Sequence, residues 1–153
     1  MAVTGPQDHA TFRRELDQRL RDVGVSRFNA AHKQLLDLIK AFHGIVEDLF
    51  HRKPTSSDWN EIDRIFTELI RYTQTHFRDE EKSMREHGYP QLDAHKAQHH
   101  KLEEQLKGYQ QQLMGRDVRS TVDMKFFLLE WLFSHINNHD MRYKEFFNKK
   151  GVR

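Results

Sequence analysis

The 153-residue chain contains no cysteine, and its glycines and prolines number only 7 and 3. The missing thiols exclude disulfide scaffolds, zinc ribbons, thiolate-held iron–sulfur clusters, c-type haem attachment and thiol catalysis. A bound metal must therefore be held by nitrogen and oxygen. Scarce glycine and proline argue against strands, which need frequent turn residues, and favour long helices. No apolar run approaches the ~18 residues of a membrane span. Met1 to Asp8 lacks the basic-then-apolar pattern of a signal peptide, so the expected location is the cytoplasm. Neither charge sign dominates: 25 Lys+Arg are interspersed with 23 Asp+Glu, which predicts neither a nucleic-acid nor a membrane surface. What the chain has in excess is histidine, 11 residues.

Apolar residues recur at helical spacing in four stretches. The first, Ser26 to His51, carries Phe28, His32, Leu35, Ile39, Phe42, Val46 and Leu49. The second begins near Asp58, read as a cap with Glu61 three residues on. Its stripe is Ile62, Phe66, Leu69, Thr73, His76, Glu80 and Met84, and it stops at Gly88-Tyr89-Pro90. The third starts near Gln91, carries Leu92, His95, His99, Leu102, Leu106, Tyr109 and Leu113, and closes at Gly115. The fourth starts near Ser120 and carries Met124, Leu128, Trp131 and His135, with Phe127 beside them. A weaker pattern from His9 to Val23 fits a short fifth helix or a linker. The tail keeps Tyr143, Phe146 and Phe147, expected to pack back on the bundle. The expected fold is all-α: an antiparallel up-down-up-down four-helix bundle over 24–153, preceded by an N-terminal arm or linker helix over 1–23.

Five histidines fall on these apolar stripes: His32, His76, His95, His99 and His135. Glu80 falls there too, and a buried unpaired carboxylate is costly. A lone histidine on an apolar face is usually a hydrogen-bonded core residue, but six polar groups on four stripes would each need a separate partner. One metal site satisfies them together. His76 and Glu80 are spaced i and i+4, as are His95 and His99, so each pair projects from one face. His32 and His135 supply the other two walls. Asp140 follows His135 by five residues and on an ideal helix points about 140° away. It joins the site only where the helix is overwound, unwound or bulged. The other six histidines, His9, His43, His51, His87, His100 and His139, fall at helix ends or off the stripes and are expected at the surface.

The inventory of imidazoles and carboxylates exceeds one tetrahedral zinc and lacks the oxygen richness of calcium or magnesium sites. It suits two ions of iron, manganese or copper. Glu-x-x-His, the ferritin-like di-iron signature, is absent.

The run His76-Phe77-Arg78-Asp79-Glu80-Glu81-Lys82-Ser83-Met84, then Tyr89-Pro90, His95-x3-His99 and Trp131-Leu132-Phe133-Ser134-His135-Ile136-x3-Asp140-x2-Tyr143, resembles the hemerythrins, and His32 resembles their first-helix histidine. The likeness covers roughly 24 to 147. It implies a non-haem centre of two iron ions (Fe2+/Fe3+). His95, His99 and His135 would hold one iron and His32 and His76 the other. Glu80, Asp140 and an oxo or hydroxo group would bridge them. O2 would bind at the open position on the two-histidine iron, in a pocket lined by Phe77, Trp131 and Leu132. The implied function is reversible oxygen carriage, storage or delivery rather than catalysis. The alternatives are an oxygen- or redox-sensing domain that signals to a partner, and a di-iron enzyme acting on peroxide, nitric oxide or ferrous iron. Two positions depart from the bacterial members of that family: Asn29 and Ala31 stand where an aspartate and a glutamine are usual. The spacing of 44 residues from His32 to His76 is also longer than in compact members.

Overall fold

A computed structural model describes the backbone from residue 6 and side chains from residue 11 to the C-terminus. The elements are α1 (Pro6–Arg19), α2 (Ser26–Asp48), α3 (Ser56–His87), α4 (Leu92–Leu113), α5 (Val118–Asn138), a 3-10 turn (Asp140–Tyr143) and α6 (Lys144–Lys149). No strand occurs among the described residues, and no helix is long and apolar enough to cross a membrane.

α2 packs against α3 and α5, and α4 packs against the same two helices. The four therefore form a square, with α2 opposite α4 and α3 opposite α5. Their stripes meet in one core running from Phe28 and Leu35 on α2 through Phe66 and Leu69 on α3 to Leu106 on α4 and Leu128 on α5. α1 lies against α2; Leu16 and Val23 are buried, and Phe12 and Leu20 are half-buried.

The helix ends have local causes. α3 starts one turn earlier than the expected Asp58 cap. Thr55 is the cap: its hydroxyl accepts from the Asp58 N–H at 3.2 Å, and the Asp58 carboxylate accepts from the Thr55 N–H at 2.7 Å. Asp58 thus fills the third helical position of a capping box, and the expected pairing with Glu61 is replaced. α3 ends at Gly88, whose φ of 72° lets the chain turn left-handed while the Tyr89 N–H reaches the Met84 carbonyl at 2.8 Å. α2 stops at Asp48 rather than His51, and α5 starts at Val118, capped by Asp117 rather than near Ser120.

The tail returns as expected. Tyr143 and Phe147 are fully buried and meet Phe28 with ring centroids 5.6 and 5.9 Å away. The Lys144 Nζ donates to the Asp22 carbonyl at 3.0 Å, and the Asn148 Nδ2 to the Gly24 carbonyl at 2.8 Å. Gly24 is required there: its φ is 82°, and a Cβ would lie 2.7 Å from the Lys144 side chain. Asn29 is turned to the same loop, accepting from the Val23 N–H at 2.9 Å and donating to Asp22 at 2.8 Å.

Candidate metal centre

Six of the seven ligand candidates reach the bundle centre by helix phase alone. His32 lies two turns into α2, His76 and Glu80 near the end of α3, His95 and His99 at the start of α4, and His135 in the last turn of α5. In an antiparallel bundle these positions share one level, close to the end that α6 closes. Asp140 arrives by a different route. The α-helix ends at Asn138; His139, with φ −112° and ψ −54°, breaks the helical phase, and Asp140 opens a 3-10 turn with its carboxylate against His135. The continuous helix expected to be overwound, unwound or bulged here instead stops before Asp140.

The seven residues form two overlapping groups. Glu80, His95, His99, His135 and Asp140 each offer a ligand atom within 4.8 Å of the others, and so do His32, His76, Glu80 and Asp140. All seven residues are buried, Glu80, His99 and Asp140 completely. The Asp140 carboxylate spans the groups: Oδ1 lies 3.0 Å from both His95 Nε2 and His135 Nε2, and Oδ2 lies 3.0 Å from His32 Nε2. Glu80 Oε1 lies 2.9 Å from His76 Nε2 and 3.5 Å from His99 Nε2.

None of these inward atoms makes a hydrogen bond. They approach closely but are not aimed donor to acceptor. Two ligands bound at right angles to a first-row metal, with bonds of about 2.1 Å, stand about 3.0 Å apart. The spacing is that of atoms converging on shared points between them. Seven buried side chains of this donor type, each with its inward atom unpaired, fit a pair of borderline metal ions.

Charge supports the same arrangement. Burial and Asp140 push Glu80 up, yet His76 and His99 outweigh them and hold it below the usual carboxylate range. Burial likewise opposes the ionised form of Asp140, but His135, His32 and His95 hold it well below that range. His99 is raised to about 9: burial resists, while Glu80, Glu81 and Asp140 prevail. His76 is raised against burial by Glu80 and Asp140. For His135 burial wins and lowers the imidazole. Two ionised carboxylates thus lie buried among five imidazoles, a cluster in which a cation is favoured.

Two contributors lie outside the stripe reading. Glu81 Oε2 lies 2.8 Å from His99 Nδ1, the nitrogen turned away from the centre. Such a carboxylate fixes ring orientation and tautomer in metal-bound histidines. Arg78 donates to Glu81 at 3.4 Å and also to Glu103 on α4, so the pair clasps α3 to α4. Glu81 sits about 100° round the helix from Glu80, towards α4, where periodicity assigns no role. The second residue is Tyr143, whose buried hydroxyl has no partner and whose phenol is pushed well above its ordinary range by burial and by Glu80 and Asp140. By contrast, the outer Nδ1 of His32 is without a partner. Asn29, at the position where the resemblance implies an aspartate, is occupied with the Asp22–Gly24 loop.

The three pocket candidates are all buried. Phe77 stacks on His99 at 3.7 Å and 3°, with its ring 6.0 Å from His76 and 6.4 Å from Trp131. The expectation for the remaining histidines holds in part. His51 and His100 are exposed, but His43, His87 and His139 are half-buried. His87 is held by the Ser83 carbonyl at 2.8 Å, and His139 stacks on His135 at 5.6 Å. The His9 side chain lies outside the described residues.

Residues 23–147 match the family described as Hemerythrin HHE cation binding domain. The chain is 26% identical over 125 residues to a bacteriohemerythrin of Stenotrophomonas maltophilia, covering 81% of this chain and 75% of that protein. It is 33% identical over 76 residues to a myohemerythrin of Theromyzon tessulatum, covering 50% of this chain and 58% of the relative. A crystal structure of a hemerythrin mutant superposes with a TM-score of 0.63 at 25% identity, over 80% of this chain and 88% of the other.

Proposed function

The chain belongs to the hemerythrin family, and from that premise we propose that it binds O2 reversibly at a non-haem di-iron centre, for oxygen carriage, storage or delivery in the cytoplasm. The observation that carries this reading is the pair of overlapping ligand groups, one with three histidines and one with two, sharing Glu80 and Asp140. His95, His99 and His135 would hold one iron and His32 and His76 the other. Glu80 and Asp140, common to both groups, would be shared between the two ions. Two ferrous ions held there would supply the two electrons that reversible O2 binding requires. The two-histidine group offers one protein ligand fewer than the other, and O2 would enter on that side. Phe77, Trp131 and Leu132 keep the position dry, which slows loss of the bound ligand in oxidised form. Glu81 fixes His99 so that its inner nitrogen stays free for the metal. The segment 1–23 is an N-terminal arm to the bundle, 24–153, and its α1 lies against α2.

The test is iron per chain, followed by absorption spectra of the reduced protein before air, after air and after deoxygenation. Two irons and an oxygen-dependent charge-transfer band that disappears on removing O2 are expected. Immediate conversion to a stable ferric form would favour a sensor, or an enzyme acting on peroxide, nitric oxide or ferrous iron. Zinc in place of iron would sink the proposal.

A further inference from the structure

The buried face of α3 carries a polar side chain that none of these roles uses and that has no partner. Thr73 is fully buried, and its Oγ1 has no hydrogen-bond partner. It does not bond back to its own helix, as Thr75 does to the Arg71 carbonyl at 3.0 Å. At about 3.6 residues per turn, Thr73 lies about 20° from Glu80 and about 60° from His76. It therefore points at the middle of the bundle, one turn ahead of His76. α5 runs in the same direction as α3, and one turn ahead of His135 it carries Trp131 and Leu132. Trp131 Nε1 is also buried without a partner. The layer one turn from the ligand groups is thus not wholly apolar.

Buried hydroxyls in folded proteins are paired, and an unpaired one costs stability. An apolar wall at this position, valine for instance, would have the same shape and avoid that cost. A hydroxyl can donate and accept, so it serves a ligand with partial negative charge as well as a neutral one. We infer that Thr73 is the hydrogen-bonding residue of the ligand pocket, its hydroxyl meeting a small polar ligand, a diatomic or a small anion, held on the two-histidine side. The inference rests on the reading of the cluster as a two-metal centre with one open position. Phe77, Trp131 and Leu132 shape the pocket and exclude water, and Thr73 supplies the directional contact that discriminates among ligands small enough to enter.

The test uses the iron-loaded full chain as wild type, Thr73→Val and Thr73→Ser. Iron per chain is measured first. The affinity of the oxidised protein for azide follows, then the change in the bound azide vibration on exchange of H2O for D2O. Thr73→Val is expected to keep two irons, to bind azide about tenfold more weakly and to lose the solvent-isotope shift. Thr73→Ser is expected to restore both. The metal-free Thr73→Val protein is expected to melt at a higher temperature than the metal-free wild type, since it removes an unpaired hydroxyl. Unchanged azide affinity and isotope shift with normal iron would overturn the role of Thr73 and leave the two-metal reading intact. A lower melting temperature of the metal-free valine variant would also overturn it, because the hydroxyl would then be satisfied within the fold. A wild type that takes up no iron would overturn the reading beneath, and the inference with it.

Discussion

Glu81 shows how a metal ligand depends on a residue that does not touch the metal. Its carboxylate is 2.8 Å from the outer nitrogen of His99, and burial, which opposes its ionised form, is outweighed by His99, Arg78 and Lys96. Glu81→Gln keeps the shape but removes the charge that orients the ring. Metal affinity is expected to fall about 10–100-fold, read by competition with a chelator of known affinity, while the helical content is unchanged. Equal affinities would reduce Glu81 to a clasp between α3 and α4. Glu80→Ala acts more severely: with one of the two shared carboxylates gone, fewer than two irons per chain are expected, and a variant with two would contradict its bridging role. Leu132 belongs to this scale as well. Leu132→Gln should admit water to the pocket and speed autoxidation of the reduced, air-exposed protein; an unchanged rate would remove it from the pocket. The seven ligand candidates are legible as residues because each is polar on an apolar stripe or matches the family run. Glu81 is not, since an acidic side chain beside an arginine on a helix flank looks like any solvated pair.

Among the elements, α3 matters most, because it is the longest helix and brings His76 and Glu80 to the centre at its far end. Its two caps fix its length. Thr55→Ala removes the hydroxyl that accepts the Asp58 N–H, at an expected cost of about 1 kcal/mol. Gly88→Ala forces a Cβ into the left-handed region, at about 1 kcal/mol; space is not the obstacle, since nothing lies within 4 Å of the added atom. Urea unfolding of the metal-free variants checks both, and a Gly88→Ala protein as stable as wild type would show that the turn relaxes. Helix existence and phase are readable from spacing alone. Helix ends are not, because a cap is chosen by whichever side chain reaches the free N–H groups, and Thr55 competes there with Asp58. The end of α5 illustrates the limit further: nothing in the spacing of His135 and Asp140 shows that the helix stops between them.

For the whole molecule, the centre couples folding to protons and to metal. His99 has its pKa raised from an ordinary 6.5 to about 9 in the fold. Its contribution to the stability of the metal-free protein is complete below about 6.5 and lost as pH rises through about 9. Glu80 and Asp140 are held low, so their contribution is present at neutral pH and lost in acid. The melting temperature of the metal-free protein is therefore expected to fall from pH 6.5 towards pH 9, and a flat profile would contradict the charged cluster. Metal reverses the trend, because it binds neutral imidazole and competes with protons; chelation should lower the melting temperature more at neutral pH than in acid. The sequence by itself determined the four bundle helices, the face each buries and the polar residues on that face, since these follow from side-chain spacing along one helix, a local property. The tertiary structure alone decided that Asp140 spans both groups, that Glu81 supports His99, that Asn29 serves a loop and that α6 locks onto Gly24. Each depends on which neighbour packs against an element and at what level, and such contacts join residues that spacing along the chain cannot relate.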